Sequence, residues 1–341
     1  FFMIWRVNMK SAYEVECRAK EGKHINTIKE DLEALVDKRL HWTLLTLPIL
    51  GIVIFTILPL VFMICMAFTS YSKVGDHLTI FHWVGLKNFS TVLGMGNSIG
   101  KTFWSVLGWT LIWAVLATFL NYILGMILAI VINRKTTRIK GFWRFCFMLS
   151  AAIPQFVSLL LMRTMLKDNG LINNLLVQAG LISSPLPFLT NATWARATVV
   201  IINLWVGIPF TMMQVTGILQ NIPGELYEAA RVDGAGPVTI FFKITLPYML
   251  FVTTPYLITT FTGNINNFNV IYLLTAGAPV PVGATAGKTD LLVTWLYKLT
   301  VDLQYFNVGA VVGILTFVIL AVVSLITYRN TGSYKNEEGF Q

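Results

Sequence analysis

The stretch Glu225-Leu-Tyr-Glu-Ala-Ala-Arg-Val-Asp-Gly-Ala-Gly-Pro-Val-Thr-Ile-Phe-Phe-Lys-Ile-Thr-Leu-Pro247 interrupts a chain that is otherwise strongly apolar. Long apolar runs lie on both sides of it, whereas its first half is acidic and rich in small residues. Pro223 can begin a helix, because the N–H that proline lacks has no partner in the first turn. Gly234 and Gly236 end that helix and permit a sharp turn, after which Pro237 can begin another. The sequence therefore predicts two short helices between two apolar segments.

The composition is that of a membrane protein. Of the 341 residues, 55% are hydrophobic and only 12% are charged, whereas a soluble domain carries about 25% charged residues. The mean hydropathy is +0.69. Several apolar runs exceed the roughly 18 residues that cross a bilayer as a helix. They do not alternate between apolar and polar residues, as the strands of a membrane barrel would.

We therefore predict an all-α polytopic membrane protein. Six transmembrane helices are expected at residues 43–68, 104–132, 142–166, 195–219, 246–268 and 306–328. Residues 1–42 would form a cytoplasmic N-terminal segment, residues 43–330 the transmembrane domain with the short helices at 221–245, and residues 331–341 a cytoplasmic tail. Phe1-Phe-Met-Ile-Trp5 looks like the end of an apolar segment, so we expect further helices before residue 1.

The lysines and arginines set the expected orientation. Most of the 25 lie in residues 1–42, 133–144, 220–245 and the C-terminal tail, and segments with few of them alternate with these. By the positive-inside rule the rich segments, including the C-terminus, face the cytoplasm. The net charge of +9 is thus spread over membrane-flanking loops, unlike the single basic face of a nucleic-acid-binding protein.

Two smaller features complete the outline. Apolar residues at helical spacing within 21–40 predict an amphipathic helix, either cytoplasmic or at the membrane surface: Ile25, Ile28, Leu32, Leu35 and Val36. The three cysteines and four histidines have neither the spacing of a disulfide framework nor that of a metal site. We expect no metal and no cofactor in this chain.

The opening stretch also contains a spaced motif. Glu228-Ala229-Ala230 is followed after three residues by Gly234, and after nine more by Ile244, one residue and Leu246-Pro247. This order resembles, at every position, the EAA-x3-G-x9-I-x-LP signature of bacterial ABC-importer permeases. The resemblance implies a type I ABC-importer permease fold. The two short helices would then be coupling helices that dock in a cleft of a separate ATP-hydrolysing subunit.

The residue types in this motif suit a docking role. Carboxylates in a loop on the positive side of the membrane repel anionic lipid headgroups and attract a basic protein partner. Small alanines let another surface approach closely. The alternative is an ordinary solvated loop. The residues expected to couple to the ATPase are Glu225, Glu228, Ala229, Ala230, Asp233 and Gly234.

The resemblance extends from about residue 43 to 330 and is closest to the larger permease subunit of maltose/maltodextrin-type importers. The segments Asn203–Phe210, Asn264–Phe268 and Lys288–Leu292 carry it. It implies a multi-pass protein of the bacterial cell membrane with no catalytic residues. The implied partners are a second permease subunit in a heterodimer, two ATP-binding subunits that hold ATP and Mg, an extracytoplasmic sugar-binding protein and an oligosaccharide substrate.

The spans are nearly free of ionisable groups but contain asparagine, glutamine, threonine and tryptophan. Amides pair with sugar hydroxyls, and a flat aromatic packs against the apolar face of a pyranose. The resemblance aligns sugar-contacting positions with Gln155, Asn203, Trp205, Gly207, Phe210, Thr260, Gly263, Asn264 and Asn267. The alternative is that these residues only hold helices together. Ala151 and Gly263 stand where the family has aromatic residues, which leaves the length and pose of the sugar open.

One motif is misleading. Gly283-Ala-Thr-Ala-Gly-Lys-Thr289 looks like a phosphate-binding loop, but it has three residues between the first glycine and the Gly-Lys pair, where that loop needs four. No buried strand precedes it, and it falls on the extracytoplasmic side. We interpret it as a surface loop that faces the solute-binding protein.

Three other functions were weighed. A permease for a different oligosaccharide would share most of these motifs. An ion-coupled secondary transporter would need an intramembrane carboxylate or histidine, and the predicted spans contain none. An enzyme acting on lipid-linked substrates would need acidic residues and histidines clustered at one membrane face, and the one acidic cluster there has no histidine nearby.

Overall fold

The computed structural model describes residues 2–329 except 25–26, 39, 76, 80 and 135. The predicted tail at 331–341 and Ile25 of the amphipathic pattern lie outside the described residues. The helices in chain order are α1 (Phe2–Lys20), α2 (Ile28–Val36), α3 (Leu40–Ile52), α4 (Leu58–Met66), α5 (Lys87–Leu93), α6 (Ser98–Val115), α7 (Asn121–Asn133), α8 (Lys140–Ala152), α9 (Gln155–Met165), α10 (Leu171–Gln178), α11 (Ala192–Gln220), α12 (Gly224–Val232), α13 (Pro237–Ile240), α14 (Leu246–Ile265), α15 (Phe268–Leu274), α16 (Leu292–Tyr297) and α17 (Phe306–Arg329).

Short irregular elements connect some of these helices. Segments of π-helix lie at Val53–Ile57, Leu116–Leu120, Phe241–Thr245 and Lys298–Asp302. Two short antiparallel strands, β1 (Lys73–Val74) and β2 (His77–Leu78), form a hairpin between α4 and α5. The π-segments continue the helical path, so α6 and α7 form one membrane-length helix and α13 continues into α14.

The described residues contain five helices long and apolar enough to cross a membrane. These are Thr43–Met66, Ser98–Asn133, Ala192–Gln220, Pro237–Leu274 and Phe306–Arg329. A sixth span exists if α8 and α9 are counted together. This confirms the predicted all-α polytopic fold, and each of the five lies at a position that the hydropathy predicts.

The predicted span at 142–166 contains Pro154, and a proline inside a membrane span kinks the helix. The chain bends by 83° between α8 and α9. Pro154 is the reason, because the residue before a proline is pushed out of the helical region. Ile153 accordingly has φ −79° and ψ 130°, an extended conformation. The span is therefore broken at its middle.

The chain divides into two compact units, Phe1–Met63 and Ile64–Gln341. In the first unit, α2 begins with a capping box. The Thr27 hydroxyl accepts from the Glu30 amide at 3.3 Å, and the Glu30 carboxylate accepts from the Thr27 amide at 2.7 Å. That amide, followed by the His24 ring, lowers the pKa of the Glu30 carboxyl. The box satisfies two amides that the first turn leaves without partners.

The second unit has two apolar clusters. The first joins α6, α9, α11 and α15 around residues such as Trp113, Leu159 and Ile271. The second joins α7, α11 and α14 around residues such as Tyr122, Met212 and Met249. Since α11 contributes to both clusters, it is the central helix of this unit. Inside a bilayer such contacts act through close packing, because lipid tails are as apolar as the side chains.

The contact between α7 and α11 is especially close. A Cβ atom at Gly125 would lie 2.7 Å from the Thr211 Cβ atom and 3.2 Å from the Met212 backbone nitrogen. One helical turn nearer the start of each helix, a Cβ at Gly207 would lie 2.7 Å from both polar atoms of the Asn121 amide. Small residues are what allow two membrane helices to approach this closely.

The loop between α15 and α16 is fastened by polar contacts. Asp290 is fully buried, and one of its carboxylate oxygens accepts from Lys298 Nζ and from the Gly287 amide, each at 2.6 Å. Arg196 Nε of α11 donates to the Lys288 carbonyl at 2.9 Å. The Thr289 hydroxyl donates to the Ala278 carbonyl at 2.8 Å. Polar groups of the segment at 283–289, which resembles a phosphate-binding loop, are thus engaged in structural hydrogen bonds.

Replacing Gly125 with alanine tests the α7–α11 contact. The added methyl has no room against Thr211, so we expect Gly125→Ala to destabilise the fold by about 1–3 kcal/mol, the usual cost of overpacking. Thermal unfolding of the detergent-solubilised protein, followed by circular dichroism, measures this as a lower midpoint temperature.

Gly108→Ala is the matched control. Gly108 lies on the same long helix with nothing within 4 Å of its Cβ position. Its replacement should leave the midpoint unchanged or raise it slightly, because alanine favours helix. Equal midpoints for the two variants would contradict the close contact.

Candidate functional site

Residues 224–240 form the two helices that the sequence predicts, α12 and α13, and are called here the 224–240 hairpin. Gly234 has φ +77°, in the region that residues other than glycine rarely adopt. The Ala235 amide donates to the Ala230 carbonyl at 2.9 Å, and the Gly234 amide donates to the Arg231 carbonyl at 3.0 Å. This pair of bonds is a Schellman motif. The motif's glycine is therefore required by the turn itself.

The predicted coupling residues lie on the surface of this hairpin. Glu225, Glu228, Ala229, Asp233 and Gly234 are exposed, and Ala230 is half-buried. In the described part of the chain no ion pair engages the three carboxylates. The neighbouring Val232 is 86% exposed. The hairpin thus presents uncompensated negative charge beside small and apolar side chains.

The hairpin is joined closely to two membrane spans. α12 begins four residues after the end of α11, and α13 runs through a π-helical segment into α14. The Tyr227 hydroxyl of α12 hydrogen-bonds the Thr245 hydroxyl at 3.2 Å. α12 is therefore connected to α11 through the chain and to the start of α14 through this hydroxyl contact.

The predicted sugar residues of α14 and α15 form one polar row. Asn264 is buried, and its Nδ2 donates to the Thr118 hydroxyl at 3.0 Å. Asn267 Nδ2 donates to Asn264 Oδ1 at 3.5 Å, and Asn267 Oδ1 caps α15 by accepting from the Val270 amide. Gly263 is exposed with nothing within 4 Å of its Cβ position. Thr260, one turn earlier, is half-buried.

Three of the four predicted sugar residues of α11, namely Asn203, Gly207 and Phe210, lie on one side of the helix, because spacings of four and seven residues return to nearly the same angle. Asn203 is buried, and its Nδ2 has no hydrogen-bond partner among the described residues. Trp205 lies two residues on, about 200° around the helix, and is 40% exposed. Gly207 faces α7, and Phe210 is 54% exposed. α11 therefore carries Asn203, Gly207 and Phe210 on one side and Trp205 on the other.

Gln155 lies at the bend between α8 and α9. It is the first residue of α9, directly after Pro154, and its side chain is exposed. α9 packs against both α11 and α15. The broken span therefore places this amide at the helix start that adjoins the two elements carrying Asn203 and Asn267.

Two polar residues in the spans, Asn121 and Gln214, can be added to the predicted sugar-contacting residues. Asn121 of α7 is buried against Gly207, and its Oδ1 has no partner in the described chain. Gln214 of α11 also has an unpartnered Oε1 and lines a cavity of about 280 Å³ with Thr253 and Tyr256. The sequence signal for Asn121 is that it is the lone asparagine inside the apolar span at 104–132.

A larger cavity contains none of the predicted residues. Its volume is about 390 Å³, and it lies between α6, α14 and α17 with an almost wholly apolar lining, for example Phe119, Leu257 and Val323. Thr262 and Ser324 meet at its wall through a 3.3 Å hydroxyl contact. An apolar groove of this kind suits lipid or another helix better than a sugar.

Comparison with curated proteins gives close relatives. The galactooligosaccharides transport system permease protein GanP of Bacillus subtilis is 35% identical over 98% of this chain and 80% of the relative. The maltodextrin transport system permease protein MdxF of the same organism is 35% identical over 99% and 80%. The maltose/maltodextrin transport system permease protein MalF of Escherichia coli is 35% identical over 72% of this chain but only 49% of its own length.

Solved structures share the fold. A bacterial ABC transporter involved in the import of the acidic polysaccharide alginate aligns over 87% of this chain with a TM-score of 0.69 at 22% identity. The alginate transporter in complex with an oligosaccharide-bound periplasmic protein aligns over 90% with a TM-score of 0.70 at 23% identity. At this identity the match concerns the fold alone.

A family model matches most of the membrane domain. Residues 121–331 fit the binding-protein-dependent transport system inner membrane component. The relatives are transport subunits rather than enzymes, as predicted. With the matches over nearly the whole chain, this confirms the family that the EAA motif indicated. The chain belongs to the binding-protein-dependent transport system inner membrane components, the multi-pass permease subunits of ABC importers.

Proposed function

We propose that this chain forms the pathway by which a maltodextrin-type oligosaccharide crosses the membrane, driven by a separate ATPase that docks on the 224–240 hairpin. The observation that carries the proposal is the continuity of that hairpin with α11 and α14. These two helices contain most of the predicted sugar-contacting residues. The 224–240 hairpin would thus receive the force from the ATPase, and α11 and α14 would hold the polar groups that contact the sugar.

The hairpin has the chemistry of a docking surface. Its three unpaired carboxylates attract a basic cleft, and long-range attraction of this kind speeds and orients association. Ala229 and Ala230 allow close approach, and the exposed Val232 adds an apolar contact. Among the coupling residues, Glu228 would pair with a basic residue of the ATPase, and Gly234 would hold the turn.

The remaining partners follow from the family and the topology. An extracytoplasmic binding protein would deliver the sugar, and a second permease subunit would complete the pathway as a heterodimer. Two ATP-binding subunits would hold ATP and Mg, with no cofactor in this chain. The lysine and arginine distribution supports a cytoplasmic hairpin, N-terminal segment (1–42) and C-terminal tail (331–341) in the bacterial plasma membrane.

The amides suit a neutral, hydroxyl-rich substrate. Each amide offers both donors and acceptors, which a sugar hydroxyl can match. Asn203 Nδ2 and Gln214 Oε1 have no partners among the described residues, and polar groups at such depth rarely stay unpaired. Trp205 and Phe210 are both exposed in the single chain but lie about 140° apart around α11; of the two, Trp205 would face the pathway shared with the second permease subunit.

The names of the relatives narrow the proposed substrate to two classes of sugar. One is a permease for maltodextrin and another for galactooligosaccharides, and both substrates are neutral chains of pyranoses. A galactooligosaccharide is therefore the second candidate. Ion coupling is disfavoured, because the five long spans contain no aspartate, glutamate or histidine.

Gly234→Ala tests the coupling role. An alanine held in the left-handed region costs about 1–2 kcal/mol, so we expect the ATPase activity stimulated by sugar-loaded binding protein to fall about fivefold or more. The measurement uses the complete complex in proteoliposomes, with subunit assembly checked by size-exclusion chromatography.

Gly236→Ala is the control for this change. Gly236 also has nothing within 4 Å of its Cβ position, but its φ is −73°, so alanine fits there without strain. Stimulation should remain within about twofold of the unmodified protein. If Gly234→Ala also retained full stimulation in an assembled complex, the turn would have no role in coupling.

Trp205→Ala tests the pathway. Loss of the indole removes the flat surface for a pyranose, and we expect sugar uptake to fall by at least about tenfold while assembly persists. Trp143→Ala, which removes an equally exposed indole from α8, should leave uptake unchanged. Normal uptake by Trp205→Ala would assign Trp205 to packing.

A further inference from the structure

Three aromatic rings meet beside the polar row of α14 and α15. The Phe268 and Tyr272 rings are stacked, with centroids 4.7 Å apart and planes 21° apart. The Tyr297 ring of α16 contacts both of them edge-on, at 5.2 Å from each. These three residues are called here the aromatic cluster. All three side chains are half-buried, so the cluster keeps part of its surface accessible.

The cluster directly continues the polar row. Phe268 follows Asn267 in the chain, and Asn267 is hydrogen-bonded to Asn264. Tyr272 lies five residues beyond Asn267, the N-cap of α15, an axial rise of about 7.5 Å, and its ring stacks on Phe268, which adjoins Asn267. That rise is on the order of one pyranose ring, so a sugar chain with one unit at the amides would place its next unit at the rings.

The cluster also lies at the end of the pathway that receives the substrate. The span that holds it starts at Pro237, in the 224–240 hairpin, and ends at Leu274, two residues after Tyr272. Tyr297 comes from α16, which follows the loop fastened by Asp290 and Lys298. If the hairpin is cytoplasmic, the aromatic cluster is at the extracytoplasmic end.

Its chemistry is that of a carbohydrate subsite. Rings that are partly exposed pack against the C–H face of a pyranose, and tyrosine hydroxyls add hydrogen bonds at the rim. The tyrosines are held by ring contacts across two elements, which fixes their orientation before a ligand arrives. Such preorganisation lowers the entropy lost on binding. Gly263, within the polar row, has nothing within 4 Å of its Cβ position, so no other side chain of the described residues covers the row there.

We infer that Phe268, Tyr272 and Tyr297 form an entry subsite that binds a second or later pyranose of a neutral oligosaccharide. The subsite favours longer sugar chains. A longer sugar contacts both the amides and the rings, whereas a disaccharide held at the amides makes little contact with the rings. This inference rests on the proposed function and adds to it a determinant of substrate length.

The test uses the complete transporter in proteoliposomes with saturating, sugar-loaded binding protein. The measured quantity is the ratio of the maltohexaose uptake rate to the maltose uptake rate. An aromatic contact is worth about 0.5–1.5 kcal/mol, so we expect Tyr272→Leu to lower this ratio about fivefold. Tyr272→Phe keeps the ring and should retain the ratio within about twofold.

Phe142→Leu is the matched control. Phe142 also contacts a neighbouring ring, that of Trp143, but lies on α8 away from the polar row, so its ratio should not change. If Tyr272→Leu fails to assemble, Tyr297→Leu is measured in the same way with the same expectation. A ratio unchanged by an assembled cluster variant would overturn the subsite while leaving the proposed function intact. Wild-type protein that takes up neither these maltodextrins nor a galactooligosaccharide would overturn the proposed function and the subsite with it.

Discussion

The close approach of α11 to α7 is the contact on which the second unit depends. Gly125 faces the Thr211 side chain and Gly207 faces the Asn121 side chain at successive turns, so each contact has a side chain on one helix only and the two helices approach closely. α11 thereby becomes a fixed axis shared by both apolar clusters. Because α12 begins only four residues after α11 ends, the position of the 224–240 hairpin is determined by the same contact.

The proposed function depends on two features of the chain. One is the direct connection of the 224–240 hairpin to α11 and α14, and the other is a set of polar atoms in the spans without partners among the described residues. Outside the membrane spans, polar atoms are satisfied by tight local bonds, as at Asp290 and Lys298. Within them, Asn121, Asn203 and Gln214 each keep a polar atom without a partner in the described chain. Such atoms are available for new partners, as a pathway that exchanges hydrogen bonds with a passing sugar would need.

Much of the fold could be predicted from local sequence. Hydropathy predicted the spans because a helix that crosses the bilayer needs a long apolar run. Gly234 predicted the turn of the hairpin because that turn needs a residue with positive φ. Pro154 predicts a kink in its span, but the size of the bend, 83°, depends on how the surrounding helices pack. The contact of Asn121 with Gly207 and the meeting of Phe268 with Tyr297 depend on how distant segments pack. Composition and spacing do not contain that information.

The central claim is that ATP on one side of the membrane drives uptake of a sugar delivered on the other. Proteoliposomes containing the complete complex measure this directly, with ATP on the side of the 224–240 hairpin and sugar-loaded binding protein on the opposite side. The proposed function predicts accumulation of maltodextrin or galactooligosaccharide only when both are present, in the absence of any ion gradient. Accumulation that follows an imposed ion gradient and proceeds without ATP would contradict it.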